Sequence, residues 1–271
     1  MPTLHLSAAF RACAVRLAAC LLALVCSSAA VAQMRPLSEP ELAQVNAQGL
    51  FAVSNSSLNG FDFTRISLDA DMNLNANLAN LRLGEYNYAP RNGSGADLDI
   101  TALQFGRSDG GDAKRLVQIS NPYFEFVYRN SGTAGAREVV GMRLGFDSIA
   151  GDIGLRIGTL SGAVKIDAGA AGVIDSANDV TGGGKRWDGN CSGCAALSQV
   201  GAVTAGDANG PSRDFWISLL KTPVQFPAAN GMPALTTAQA GIWLNWRDRV
   251  TALNMTAQLP PNLPPAMAAA R

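Results

Sequence analysis

From Thr64 to Leu78 the chain alternates with a period of two. Ile66, Leu68, Ala70, Met72, Leu74, Ala76 and Leu78 fall on one side, and Ser67, Asp69, Asp71, Asn73, Asn75 and Asn77 on the other. Successive side chains of an extended chain point to opposite faces, so the pattern specifies a strand with one dry and one wet face. Straight, the run would reach roughly 50 Å at about 3.3 Å per residue. That is well beyond a usual strand, so it is expected to bend or to divide into two collinear strands. Leu81 and Leu83 continue on odd positions. The phase therefore slips near Ala79, which predicts a bulge or turn there.

The same rhythm recurs downstream. Ala96, Leu98 and Ile100 alternate with Asp97 and Asp99, and Leu116–Ile119 leads into a break expected at Asn121-Pro122. Phe124, Phe126 and Tyr128 share a face, which leaves Glu125 turned to solvent between two buried phenylalanines. Val140, Met142, Leu144 and Phe146 alternate with Gly141, Arg143, Gly145 and Asp147; after a second slip Ile153, Leu155 and Ile157 alternate with Gly154, Arg156 and Gly158. Phe215–Leu219 and Ile242–Trp246 read as late strands. One-sided alternation favours antiparallel sheet, and no helix–strand alternation is present. The expected fold is all-β and mainly antiparallel: a long-stranded twisted sheet, a sandwich or a partly open barrel. An outer-membrane barrel is disfavoured by the scarcity of aromatic girdles and by an end in proline and alanine instead of a strand.

The two ends differ in kind from this middle. Arg11 and Arg16 precede an apolar core from Leu17 to Val25, and Ala30-Val31-Ala32 places small residues before Gln33. Residues 1–32 therefore read as a secretory signal cleaved before Gln33, and their apolar core is too short to span a membrane. Residues 33–49 predict one short helix. Ser38 with Glu41 makes a capping box, Leu37 with Leu42 a hydrophobic staple, and Gly49 a stop. Residues 50–257 are the expected β-rich domain. Residues 258–271, with Pro260, Pro261, Pro264 and Pro265, read as a disordered Pro/Ala-rich tail. The exported chain would carry no membrane span, and its location would be the periplasm, the outer surface or the medium.

Composition narrows the chemistry. The single histidine, His5, lies within the signal. Without it, Ser-His-Asp and Cys-His sites, histidine-dependent zinc and the usual neutral-pH base are all excluded. Of the 21 basic groups, the loss of Arg11 and Arg16 leaves 19 against 21 acidic ones, so no basic face for nucleic acid is implied. Three of the five cysteines leave with the signal. Cys191 and Cys194 remain as C-x-x-C, with too few other ligands for zinc and with Gly182-Gly183-Gly184 before them instead of a strand–motif–helix context. A local disulfide is the favoured reading, contributing no more than roughly 2 kcal/mol because the ring is small. Asp69-x-Asp71-x-Asn73 resembles the start of an EF-hand loop. It has Leu74 where the loop needs glycine and Asn80 where it needs glutamate, so the polar face of a strand explains it better. Glu125 is the one candidate for a carboxylate-based hydrolase. Arg143, Arg156, Trp243, Arg247 and Arg249 could line one sheet face as a binding surface. The glycines at 141, 145, 154 and 158 would permit bending or close backbone approach. No catalytic residue, cofactor or metal is expected.

The segment from Leu37 to Gln48, Leu-Ser-Glu-Pro-Glu-Leu-Ala-Gln-Val-Asn-Ala-Gln, resembles the L-S/D-x-x-E-L-x-x-V-x-x-Q opening of a group of uncharacterised secreted proteins of Gram-negative bacteria, some of them named as pilus-system or surface proteins. The resemblance covers about 12 residues and implies an exported, non-catalytic surface or pilus-associated role. The expectation is a structural or interaction protein of the envelope with a protein partner or self-association. The alternative is a periplasmic module that holds a lipid or other apolar ligand in an open β cavity.

Overall fold

The computed structural model describes residues 50–88, 93–130, 132, 136–190, 195–229 and 231–263. Among them the chain forms thirteen strands and only three-residue 3-10 turns, so the fold is all-β. The expected signal, the expected short helix and the expected Cys191–Cys194 disulfide fall outside the described residues. No helix among the described residues is long and apolar enough to cross a membrane.

The alternating run from 64 to 78 is divided between three strands: β1 (Phe51–Leu58) leads into β2 (Phe61–Leu68), β3 (Asp71–Leu74) and β4 (Ala76–Tyr88). β2 and β3 both pair with β6 (Val117–Arg129), the first ending at Ser67 opposite Tyr123 and the second starting at Asp71 opposite Ser120. Three residues on one side, Leu68 to Ala70, thus face two on the other, Asn121 and Pro122, which is a bulge. β4 then pairs with β5 (Gly93–Phe105). The slip expected near Ala79 is a kink inside a continuous ladder, where Asn80 takes φ 56°. The break expected at Asn121-Pro122 is absent, because β6 runs through it. Pro122 lies opposite the β2/β3 bulge, where the ladder is already interrupted and a missing N–H costs little.

β7 (Glu138–Leu160) organises the rest. It is one strand of 23 residues where the pattern suggested two, and it belongs to two sheets. Its first half lies between β6 and β11 (Trp216–Leu220), its second half between β5 and β10 (Ala202–Ala205). Gly151, with φ 134°, stands at the changeover. β8 (Gly162–Asp167) is shared in the same way. It runs parallel to β12 (Gly241–Trp246), meets β13 (Val250–Asn254) through Asp167 and Thr251, and carries β9 (Val173–Asp175) on antiparallel bonds. With β11 on β12 and β10 on β13, the pairings close a ring: β7, β11, β12, β8, β13, β10 and back to β7. Two arms leave it, β6-β2-β1 in the first sheet and β5-β4 in the second.

The main core lies within this ring and under the second arm. It includes Leu98, Ile119, Ile153, Leu155, Leu160, Val164, Ile166, Trp187 and Trp246. Phe146 stacks on Phe215 at 5.5 Å, and Phe215 meets Trp246 edge-on at 5.2 Å. Each such pair adds about 0.5–1.5 kcal/mol beyond burial. Of the tail expected to be disordered, residues 258–263 are held on the domain, and 264–271 lie outside the described residues. Asn262 is buried, donates to the Phe105 carbonyl and to Asn77, and accepts from Asn75; the Pro261 carbonyl accepts from Ser108. A buried amide with its hydrogen bonds made holds a chain that composition alone would leave loose.

Candidate functional site

The first sheet has two unlike faces. Residues directly opposite one another on antiparallel strands share a face. One face therefore carries Arg65 on β2, Tyr123, Glu125 and Val127 on β6, Gly141, Arg143 and Gly145 on β7, Trp216, Ser218 and Leu220 on β11, and Trp243 and Asn245 on β12. The other carries Val53, Ile66, Phe124, Leu144, Ile217 and Leu244 in one cross-strand row, and Phe126, Met142, Leu219 and Ile242 in the next.

Which face is covered reverses the simple expectation. The segment 221–240 between β11 and β12 folds over the charged face and packs Val224, Phe226 and Ala238 on Trp216, Trp243 and Phe63 in a second core. Glu125, expected at the solvent side, is 3% exposed, whereas Phe124, expected inside, is 51% exposed. Arg143 is 1% exposed. Gly141 and Gly145 flank it because side chains there would collide: a Cβ at Gly145 would sit 2.6 Å from the Tyr123 hydroxyl, and one at Gly141 2.5 Å from the Leu219 carbonyl. Gly154 is equally tight against Gln104, while Gly158 has ordinary contacts only.

Beneath this cover the charges are paired. Arg143 Nε donates to Glu125 Oε2, and Arg65 Nε donates to Oε1 at 3.1 Å and Nη1 to Asp147 at 3.2 Å. Both guanidiniums lie near aromatic rings, Arg65 3.9 Å from the centre of Tyr123 and Arg143 4.3 Å from that of Phe226. Burial pushes the Tyr123 phenol above its ordinary range, opposed by the nearby Arg143 and Arg65. Burial likewise raises the Asp214 carboxyl, which accepts from the Arg247 and Asp248 N–H groups and from Asn245. A cavity of about 400 Å³ opens here, lined by Arg65, Glu125, Arg143, Asp147, Arg213 and Asp214 with Tyr123 and Trp216. Phe146, Met232 and Leu235 also reach it, so its lining is mixed, with six charged side chains where a lipid site requires a mainly apolar hollow. Deeper on the same face, Trp216 Nε1, Ser218 Oγ, Trp243 Nε1 and Asn245 Oδ1 are buried without a hydrogen-bond partner in the protein. Each orphan of this kind costs about 1–3 kcal/mol.

The five residues expected to form one binding surface do not share one. Arg143 and Trp243 lie in one row across Ser218, both buried under the 221–240 segment. Arg156 is exposed on the second half of β7 and donates to the Ala257 carbonyl. Arg247 makes a bidentate pair with Asp175 at 2.7 and 2.8 Å, and Arg249 binds Asp207, Asp248 and the Pro211 carbonyl. Arginine counts reported charge, but Ala257, Asp175, Asp207 and Pro211 are brought to these guanidiniums from about 40 to 100 residues away. Asp71, from the EF-hand-like triplet, accepts from Ser120 across β3 and β6, and no group of three metal-binding side chains is present among the described residues. Glu125 has both oxygens occupied by guanidiniums, Arg65 on one and Arg143 on the other, which leaves neither turned to a sugar as glycoside cleavage requires.

The feature that periodicity did not single out is the outward apolar row. In the second row Leu219 is 55% exposed; in the first, Val53 is 65% exposed, Phe124 51% and Leu144 44%. The row becomes buried only at Leu244, where it joins the main core. The alternation of Phe124, Phe126, Met142 and Leu144 located the stripe, but the phenylalanines were expected inside and Phe124 stands outside. The chain matches no protein-family model, and no curated protein and no solved structure is similar to it.

Proposed function

We propose that the protein is an exported, non-catalytic structural or interaction protein of the bacterial envelope, associated with pili or adhesion, that engages a protein partner through the outer apolar face of its first sheet. The observation that carries this reading is the exposed apolar face, with Val53, Phe124 and Leu144 in one cross-strand row and Leu219 in the next. Scattered apolar residues on a surface are ordinary, whereas a contiguous stripe across neighbouring strands marks a contact surface. The signal read in residues 1–32 and a Cys191–Cys194 disulfide fit an oxidising compartment. The alternative, an apolar ligand held in a β cavity, is less well supported, because the ring is filled by side chains and the cavity at the first sheet has six charged side chains in its lining.

The test is genetic. Deletion in the source organism should reduce surface appendages or adhesion, wild-type protein should restore them, and a Phe124→Ser, Leu219→Ser variant of normal stability should not. Appendages and adhesion unchanged by the deletion would overturn the proposal.

A further inference from the structure

Sheet edges in this fold are guarded unequally. An edge strand presents a row of unpaired N–H and C=O groups, which proteins blunt with charge, proline, bulges, short length or cover. β4, at the edge of the second arm, carries Arg82 and Glu85 and is kinked by left-handed backbone at Asn80 (φ 56°) and Gly84 (φ 67°). β3 and β9 are only four and three residues long. Among the described residues β1 has none of these devices. Its eight residues, Phe-Ala-Val-Ser-Asn-Ser-Ser-Leu, contain no charge and no proline, and none is left-handed. Seven of the eight are exposed. Among the described residues β1 pairs with β2 alone, along its whole length. Asn55 accepts from Thr64 and Ser57 donates to Asp62, so these polar side chains are directed to β2 and the outer side offers backbone.

We infer that β1 is the edge through which the protein pairs with a second copy of itself, β1 against β1, antiparallel about a two-fold axis perpendicular to the sheet. The charge pattern selects this occupant. A two-fold contact sets one strip against itself, so a charge on the axis would face its own copy, and a charge off the axis would enter the contact twice with an opposite partner only where the strip itself supplies one. β1 places no charge against its copy, whereas β4 in the same arrangement would bring Arg82 and Glu85 into the contact. Geometry then restricts the register. Directly opposed residues must lie on one face, so one residue must stand opposite its own equivalent on the axis. Registers centred on β1 put Ser54 or Asn55 there. In either one, the row Val53, Ile66, Phe124 and Leu144 of one copy lies on the same side as that of its partner, and the outer apolar face is doubled in width.

This pairing uses the backbone edge of β1, shares only Val53 with the outer row and is read in solution, so the two proposals can fail separately. Sedimentation velocity on the exported chain should show a reversible, concentration-dependent dimer. Val53→Lys and Ser56→Lys, one on each face of β1, should each weaken it by about tenfold or more. Phe124→Ser should leave it intact. Independently, either Ser54→Cys or Asn55→Cys should give a covalent dimer on mild oxidation, well above the yield from Asp112→Cys at an exposed turn. If the lysine variants lose their near-ultraviolet circular dichroism, the cysteine result decides. A chain that stays monomeric at millimolar concentration overturns the inference. So does a dimer untouched by folded lysine variants, or cysteines at 54 and 55 that link no better than the one at 112.

Discussion

The two halves of β7 obey opposite rules. In the second half Ile153, Leu155 and Ile157 are buried in the main core while Arg156 and Gly158 face solvent. In the first half Arg143 and Gly145 are buried and Leu144 is 44% exposed. Both halves alternate with the same period, and both are flanked by strands on each side. They differ in what lies over them. The second half faces the filled ring, and the first lies under the 221–240 segment, which brings Phe226 and Pro227 onto the charged face. Alternation sorts residues into two faces, and only the next layer decides which face is the inside.

The largest expected effect breaks the charged pair in the first half. Glu125→Leu leaves Arg143 buried without its carboxylate and should cost about 3–5 kcal/mol in chemical denaturation. Glu125→Leu with Arg143→Met removes both charges and should recover most of that loss. A single variant as stable as the wild type would mean that the face is wet. Next come two leucines on the same strand. Leu155→Ala should cost about 2–5 kcal/mol as a cavity in the core. Leu144→Ala should stay within about 1 kcal/mol, since much of its side chain already meets water. Equal losses would erase the contrast between the halves. At the tail, Asn262→Ala orphans the partners of a buried amide and should cost about 1–3 kcal/mol, with faster proteolysis near residue 258. No loss there would mark the tail as free.

The smallest effect is in pH. Tyr123 lies under the cover, and burial raises its phenol above the usual value near 10. Its folded pKa exceeds its unfolded one, so its contribution to stability is fully present below pH 10 and is lost as pH rises through the folded value. Melting temperatures measured from pH 9 to 11 should fall more steeply for the wild type than for Tyr123→Phe. Parallel slopes would mean that the phenol is not buried.

Much of this was legible beforehand. The strand content and the grouping of Phe124 with Phe126, and of Leu144 with Met142, follow from period two alone. The inversion at Glu125 and Arg143 was not, because the covering segment lies about 80–115 residues further on and has no periodicity of its own. The continuity of β7 was hidden by Gly151 and by a face change that imitates a break. Pro122 imitates a break as well, and only the bulge opposite makes it harmless. The Pro/Ala composition at the end concealed Asn262, a single polar residue whose partners lie more than 150 residues away.

The central claim, charge beneath and oil outside, is open to a direct measurement. Hydroxyl-radical footprinting of the dilute protein, read residue by residue by mass spectrometry, compares the two faces in one experiment. Phe124, Leu144 and Leu219 should be oxidised, while Tyr123, Trp216 and Trp243 remain protected despite the higher intrinsic reactivity of their rings. Oxidised Trp216 and Trp243 beside an untouched Phe124 would contradict the account.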